Sequence, residues 1–192
     1  MTAATGITGG IGAGKSVVSA ILRAMGYEVY DSDTRARQIM DSDTDIHRAL
    51  CAHIHPRAVT DGRIDRRLLA EVVFASPEAL NRLNGIVHRA VEADFAAWLR
   101  SLTAPRAFVE SAILYQCHLW QVVDSVWAVD APAQLRIERV TRRSGLSPQQ
   151  VLERIDAQPD VTGRADTVLL NDGLTPLLPQ IQAALAALPS AL

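Results

Sequence analysis

The sequence is almost without lysine: of its 19 basic residues only Lys15 is a lysine, and the others are arginines. It has two cysteines, Cys51 and Cys117, too few for a disulfide framework, so we expect reduced thiols and a cytoplasmic protein. The net charge of −2 argues against a general nucleic-acid- or membrane-binding surface. No apolar stretch reaches the roughly 18 residues of a membrane-spanning helix, and no signal-peptide pattern opens the chain.

What the sequence does have is a glycine-rich loop. Residues 9–16 read GGIGAGKS, the G-x-x-x-x-G-K-[ST] pattern of loops that bind nucleotide phosphates. Five of them are expected to direct backbone N–H groups at phosphate oxygens: Gly10, Ile11, Gly12, Ala13 and Gly14. Lys15 would add a compact positive charge, and the Ser16 hydroxyl would ligate Mg²⁺. A predicted strand, Met1–Thr8, precedes the loop and a predicted helix, Val17–Met25, follows it, which favours an ATP site over a ligand-free glycine turn.

Two aspartates follow the second predicted strand, Tyr27–Tyr30. At the carboxyl end of a parallel strand, Asp31 and Asp33 would lie where α/β sheets bind ligands. One carboxylate would accept the proton of a substrate hydroxyl and the other would hold Mg²⁺ or its water, with either order open. The alternative is that Asp33 caps the helix Thr34–Met40. Two arginines on that helix are candidates for binding an anionic substrate: Arg35 and Arg37.

Residues 41–104 are predicted to be mostly helical. The helices are expected at Ile46–Ile54, Arg66–Phe74 and Asn84–Leu102, with a turn at residues 61–62. Ser-Pro-Glu at residues 76–78 predicts a further helix start, with Pro77 at the first helical position. This segment is far longer than the crossover between neighbouring parallel strands, so it predicts an inserted subdomain on the substrate side. Its histidines and cysteine have no standard zinc spacing, so surface positions are favoured over a metal site: His47, Cys51, His53 and His55.

Three more strands are predicted, at Arg106–Ser111, Ser125–Val129 and Thr167–Leu170. The first ends at Glu110, which would either approach Mg²⁺ through water or simply end the strand. The turn at residues 171–173 follows the last strand and would either contact the adenine or serve as an ordinary turn. A final helix is predicted from Thr175 to Leu188.

An arginine-rich pair of helices, Ala133–Arg143 and Val151–Ala157, lies between the last two strands. The second is predicted to begin with a capping box at Ser147. Such arginines are typical of a lid that neutralises charge on a transferring phosphoryl group. Arg139 and Arg143, four residues apart on one face, are favoured for this role, and Arg136 and Arg142 are favoured as solvent-exposed.

Together these stretches resemble the dephospho-coenzyme A kinases. Seven segments, in family order, show the resemblance: GITGGIGAGKSVVS (6–19), YDSDTRARQIM (30–40), DGRIDRRLLAEVVF (61–74), LNGIVH (83–88), IERVTRRSGLS (137–147), ERIDAQ (153–158) and ADTVLLNDG (165–173). The resemblance implies that the ribose 3′-hydroxyl of dephospho-coenzyme A is phosphorylated by ATP with Mg²⁺, the last step of coenzyme A synthesis.

The resemblance also implies an α/β P-loop kinase core with a five-stranded parallel sheet between helices, covering about residues 1–40, 105–135 and 165–192. A helical substrate-side insert (about 41–104) and a lid (about 136–164) would complete it. The implied catalytic residues are Asp33, Lys15, Arg139 and Arg143. The implied ligand contacts are Asp33, Arg37 and His88 for the substrate, Asn171 and Gly173 with the loop for the nucleotide, and Ser16 and Asp31 for the metal. The small-molecule substrate would be the main partner of a monomer or weak homo-oligomer.

Four departures from the family pattern stand out. MTAAT, at residues 1–5, replaces an apolar run, Gln116 replaces an acid, and Arg89 replaces the proline after His88. The segment after Gln158 is short, and Arg164 is its only basic residue. The alternative functions are a P-loop kinase for another small hydroxylated metabolite or nucleoside, and a nucleotide-sensing switch. The switch would need an N-K-x-D motif, which a chain with its only lysine in the loop does not contain.

Overall fold

The computed structural model describes residues 2–189. Met1 of the predicted first strand and residues 190–192 of the predicted core lie outside them. The strands are β1 (Ala3–Thr8), β2 (Glu28–Asp31), β3 (Val59–Thr60), β4 (Arg63–Ile64), β5 (Arg106–Glu110), β6 (Ser125–Asp130) and β7 (Thr167–Leu170). The helices are α1 (Lys15–Ala24), α2 (Ser32–Ser42), α3 (Thr44–His53), α4 (Arg66–Ala75), α5 (Pro77–Ser101), α6 (Ala133–Ser144), α7 (Pro148–Asp156) and α8 (Leu177–Ala187).

The chain divides into two compact units. Residues up to Tyr30 and from Leu102 onward form the first, and Asp31–Ser101 form the second. The second unit thus begins earlier than residue 41, where the sequence analysis began the helical insert, because α2 packs against α5 within it. None of the helices in residues 2–189 is both long and apolar enough to cross a membrane.

A five-stranded parallel sheet in the order β2-β5-β1-β6-β7 organises the first unit. The central strand, β1, pairs in parallel with β5 and β6, and Ile7 is opposite Glu110 on one side and Trp127 on the other. The prediction of an α/β fold with five parallel strands is therefore confirmed. Helices must cover both faces of such a sheet, because parallel strands need long crossover connections.

Aromatic side chains of neighbouring strands form the core beside β1. Phe108 and Trp127 are fully buried, with ring centroids 5.3 Å apart, and Tyr27 meets Phe108 edge-on at 5.3 Å. This packing explains why β1, despite its small residues, can be the central strand: the bulk comes from β5 and β6. The weakly apolar MTAAT segment is thus compatible with a buried strand.

The second unit is a helical cluster with a short hairpin. Its longest helix, α5, begins at Pro77, which confirms the helix start predicted at residues 76–78. The separate long helix predicted from Asn84 is the continuation of this same helix. Gly85 lies inside that helix, and one glycine costs only about 1 kcal/mol, too little to end a helix that packs against α2, α3 and α4. Asp94 of α5 accepts a bidentate pair of hydrogen bonds from Arg35 of α2, at 2.9 and 2.5 Å.

The sequence analysis predicted the turn at residues 61–62 but missed the hairpin around it. Strands β3 and β4 pair antiparallel, with Val59 opposite Ile64. Asp61 and Gly62 have φ values of 51° and 71°, the left-handed conformation that two-residue hairpin turns require. Two-residue strands are too short to show an alternating pattern, so only the turn, and not the strands beside it, could be predicted from the sequence.

Candidate active site

The glycine-rich loop runs from the end of β1 to the start of α1. The Ala13 N–H donates to the Gly10 carbonyl at 3.2 Å, and Val17 donates to Gly14 at 3.0 Å. No acidic side chain lies in the first turn of α1. The positive end of the α1 dipole therefore acts on the loop without local neutralisation, an arrangement that favours phosphate.

Lys15 begins α1 and folds back over the loop. Its Nζ donates to the Gly9 carbonyl at 2.9 Å and lies 3.5 Å from the Gly10 carbonyl oxygen. These bonds hold the ammonium beside the loop, and an anionic phosphate oxygen is a stronger acceptor than either carbonyl. Ser16, next in the same turn, is exposed and offers the hard oxygen ligand that Mg²⁺ prefers, so this residue fits the metal.

Arg139 of α6 and Asn171 after β7 contact the second half of the loop. The Arg139 guanidinium donates to the Gly12 carbonyl at 3.4 Å and to Asn171 Oδ1 at 3.3 Å. Asn171 in turn donates from Nδ2 to the Ala13 carbonyl at 2.8 Å. The turn after β7 thus lies beside the loop, and the Asn171 side chain is bonded to the loop backbone.

The other two residues of that turn, Asp172 and Gly173, differ in their contacts. Gly173 is exposed and has a φ of 81°. The Asp172 carboxylate accepts the N–H groups of Thr175 at 2.7 Å and Leu174 at 2.9 Å, and these bonds lower its pKa. Asp172 therefore holds the turn together as a carboxylate.

Two residues that the sequence analysis did not assign to the site contact the first half of the loop. Arg136 Nε donates to the Ile11 carbonyl at 2.9 Å, and the Ile11 N–H donates to Gln158 Oε1 at 2.7 Å. The expectation that Arg136 faces solvent is wrong, because its side chain is half-buried against the loop. Gln158 ends the recognised ERIDAQ segment, but no spacing rule connects that position with the loop.

The remaining arginines of α6, Arg142 and Arg143, are exposed. Arg142 is exposed and forms an ion pair with Glu138 at 2.5 Å, so its expected solvent exposure is confirmed. Arg143 is exposed in the last turn of the helix. Within residues 2–189, no hydrogen bond joins Arg143 to the loop, so the structure connects only Arg139 of the two favoured arginines with it.

A small cleft adjoins the loop, lined by residues of three segments: Thr8, Gly9 and Gly10; residues 112–116; and Gln158, Pro159 and Val161. Arg164, the one basic residue of the shortened segment, is not among the lining residues but packs on one of them, Tyr115. Its guanidinium carbon is 3.9 Å from the centroid of the Tyr115 ring, and the Tyr115 hydroxyl donates to the Arg164 carbonyl at 2.8 Å. Burial raises the Tyr115 pKa, and the nearby Arg164 charge partly opposes the rise.

The predicted substrate-side residues belong to the second unit. Asp31 caps α2, since its carboxylate accepts the Thr34 N–H at 3.0 Å and hydroxyl at 2.7 Å. The alternative that Asp33 is this cap is therefore wrong; Asp33 lies in the first turn of α2 and is exposed. Arg37 is also exposed on α2, and His88 is half-buried on α5.

Comparisons with known proteins agree on one family. The family model described as dephospho-CoA kinase matches residues 3–176. The chain is 39% identical to the dephospho-CoA kinase of Bacteroides fragilis over 180 residues, covering 92% of this chain and 88% of that one. It is 40% identical to the dephospho-CoA kinase of Thermus thermophilus over 171 residues, covering 88% and 82%.

Solved structures resemble the chain over nearly its whole length. A Thermus thermophilus crystal structure has a TM-score of 0.81 at 37% identity and covers 98% of both chains. The dephospho-CoA kinase of Campylobacter jejuni has a TM-score of 0.68 at 23% identity, covering 97% of this chain and 95% of that one. A shikimate kinase from Bacteroides thetaiotaomicron has a TM-score of 0.55 at 12% identity, covering 97% and 95%. The last two support the fold alone.

Proposed function

The chain belongs to the dephospho-CoA kinase family, and we propose that its loop, its α2 aspartate and its α6 arginines transfer the γ-phosphoryl group of ATP to the ribose 3′-hydroxyl of dephospho-CoA. The reaction is the final step of coenzyme A biosynthesis. One observation carries the assignment: the family match spans residues 3–176, which include the intact phosphate loop. Catalysis would be mainly positioning and charge stabilisation, because phosphoryl transfer needs little covalent chemistry from the protein.

The donor side of the reaction rests on the first unit. Backbone N–H groups of the loop from Gly10 to Ser16 would surround the phosphates of ATP, except that of Ile11, which donates to Gln158 instead of pointing at phosphate as the sequence predicted. Lys15 would exchange its carbonyl contacts for phosphate oxygens. Arg139, already bonded to the loop backbone, would stabilise charge on the moving phosphoryl group. Asn171 and Gly173, in the turn beside the loop, would adjoin the adenine.

The acceptor side rests on the second unit. We propose that Asp33 accepts a hydrogen bond from the 3′-hydroxyl and takes its proton late in the transfer. Its exposure and its position in the first turn of α2 support this role. Arg37 and His88 would bind dephospho-CoA, with Arg37 paired to an anionic group.

Mg²⁺ would be held by the Ser16 hydroxyl and, through water, by Asp31. When bound, the ion neutralises charge on phosphate oxygens. The Asp31 oxygens retain lone pairs for a water-mediated contact beyond their bonds to Thr34. Removing Mg²⁺ with a chelator should therefore weaken ATP binding, and Ser16→Ala should weaken it through the same ligand.

Residues 136–164, which contain most of α6 and all of α7, are proposed as the lid. Arg139 has structural support through its loop contacts, whereas the role of Arg143 rests on the family resemblance. The protein is proposed to act in the cytoplasm as a monomer or weak homo-oligomer. The cytoplasm is proposed because two cysteines without the spacing of a disulfide framework are typical of a reducing compartment. Sedimentation velocity would measure the association.

The decisive experiment incubates the purified protein with ATP, Mg²⁺ and dephospho-CoA and follows the products by mass. The expected product is coenzyme A together with ADP. Asp33→Asn should lower kcat strongly and leave the ATP KM nearly unchanged, because the lost group acts on the acceptor. Phosphorylation of a nucleoside or shikimate in place of dephospho-CoA would contradict the proposed substrate. An Asp33→Asn variant changed only in ATP affinity would instead place Asp33 at the metal.

A further inference from the structure

Ile11 is the third residue of the glycine-rich loop, and side chains from outside the loop hold both of its backbone polar groups. Gln158 accepts its N–H at 2.7 Å, and Arg136 donates to its carbonyl at 2.9 Å. The partners lie 147 and 125 positions away in the chain, so only the folded state brings them together. The conformation of the loop at Ile11 therefore depends on two residues from the α6–α7 region.

The Gln158 side chain projects from a well-anchored helix end. Gln158 directly follows Ala157, the C-cap of α7, and its N–H donates to the Ile155 carbonyl at 3.1 Å, which ties it to the helix end. That helix begins with a complete capping box at Ser147 and buries Val151 fully. A short segment follows, in which Pro159 and Val161 line the cleft beside the loop. The position of the Gln158 amide is thus set by helix packing and not by a loose loop.

The chemistry of the contact calls for a neutral acceptor. A backbone N–H needs an oxygen, which lysine and arginine do not offer. A carboxylate would offer one but would place a negative charge beside a site for phosphates, and asparagine is one methylene shorter. Glutamine supplies the acceptor oxygen at this reach without the charge.

We propose that Gln158 is a positioning residue for phosphoryl transfer: its amide oxygen fixes the Ile11 peptide and so holds the first half of the loop in shape for ATP. This inference rests on the proposed kinase function. Loss of one such hydrogen bond should reduce kcat/KM for ATP by about tenfold. The KM for dephospho-CoA should change by less than about twofold, since the contact acts on the donor site.

The test compares three variants with the native protein. Gln158→Met keeps much of the side-chain length and removes the amide oxygen. Gln158→Glu restores an acceptor oxygen but adds a charge. Gln149→Met is the matched control, because Gln149 is an exposed glutamine of α7 whose side chain donates to the Glu153 carboxylate at 3.3 Å and not to the loop within residues 2–189.

Four quantities are measured: hydrogen exchange of the Ile11 amide by NMR, ADP affinity by calorimetry, steady-state kinetics and the melting temperature. Gln158→Met should speed Ile11 exchange and lower kcat/KM for ATP, with a melting temperature close to that of Gln149→Met. Gln158→Glu should restore slow Ile11 exchange yet bind ADP more weakly, because its carboxylate repels phosphate. If Gln158 only stabilised the fold, an acceptor oxygen at residue 158 would not be expected to restore slow hydrogen exchange of the Ile11 amide.

Three results would overturn the inference: unchanged Ile11 exchange in Gln158→Met, a kcat/KM within about twofold of the Gln149→Met control, or a kinetic loss that follows a fall in melting temperature. Hydrogen exchange and ADP titration need no turnover. If the native protein fails to make coenzyme A, the proposed function fails, and those two measurements still decide the role of Gln158.

Discussion

Gly14→Ala is expected to lower both stability and nucleotide affinity, because the end of the loop has no room for a side chain. The Gly14 φ is +105°, a conformation that residues with a Cβ rarely adopt, and an added Cβ would stand 2.0 Å from Asn171 Nδ2. That nitrogen donates to the Ala13 carbonyl at 2.8 Å. An alanine must therefore strain the backbone and also push Asn171 away from the loop.

The two costs can be added. The left-handed backbone costs about 1–2 kcal/mol for a residue with a Cβ. Breaking the bond from Asn171 to the Ala13 carbonyl adds about 1 kcal/mol. We expect the free energy of unfolding to fall by about 2–3 kcal/mol, which for a chain of this size lowers the melting temperature by about 4–12 °C.

Gly26→Ala provides the control, because Gly26 shares the backbone conformation without the crowding. Its φ is +90°, and a Cβ there would meet nothing within 4 Å. Urea unfolding followed by circular dichroism should give a loss of about 1–2 kcal/mol for this variant. Calorimetry with ADP should show native affinity for Gly26→Ala and weakened affinity for Gly14→Ala. The reasoning is refuted if Gly14→Ala is as stable as Gly26→Ala or binds ADP as tightly as the native protein.

Lys15→Ala should lower kcat by about 100-fold or more. Lys15→Arg should not restore it, because a planar guanidinium cannot replace the compact ammonium, and near-native turnover of the arginine variant would contradict this. Arg139→Ala should reduce kcat about tenfold more than Arg143→Ala, because within residues 2–189 Arg139 is hydrogen-bonded to the loop and Arg143 is not. Equal losses in steady-state assays would argue for equal lid roles. Thr5→Val should raise the free energy of unfolding in urea titrations by about 1 kcal/mol and leave kcat unchanged, because the buried Thr5 hydroxyl has no hydrogen-bond partner within residues 2–189. A less stable variant would show that the hydroxyl has a partner.

Local rules account for the parts of the fold that the sequence predicted well. The strand–loop–helix order around residues 9–16 is confirmed, since the loop pattern and the helical spacing after it are both short-range signals. The capping box at Ser147 is also confirmed, with Gln150 as its reciprocal partner. Each of these features is decided within a few residues of chain.

Long-range contacts account for what the sequence could not reveal. Arg136 and Gln158 contact Ile11 although each is more than a hundred positions away in the chain. Helical spacing indicates which face of α6 is polar, but it does not indicate that this face packs against the loop. The N-cap residue of α2 could not be identified from the sequence for another reason. Asp31 and Asp33 are both acceptable N-cap residues, and they lie two positions apart. Only the helix start at Ser32 decides between them.

Because Lys15 is the only lysine, its chemical labelling can report nucleotide binding to the loop. Its side chain is the one lysine amine in the chain, and it donates to the Gly9 carbonyl inside the phosphate loop. An amine-selective acylating reagent therefore has a single side-chain target, and the rate of its labelling measures how often a nucleotide shields the loop. For the same reason, biotin, fluorophores or sensor surfaces coupled through lysine would block the nucleotide site, so attachment through the thiol of Cys51 is the better choice.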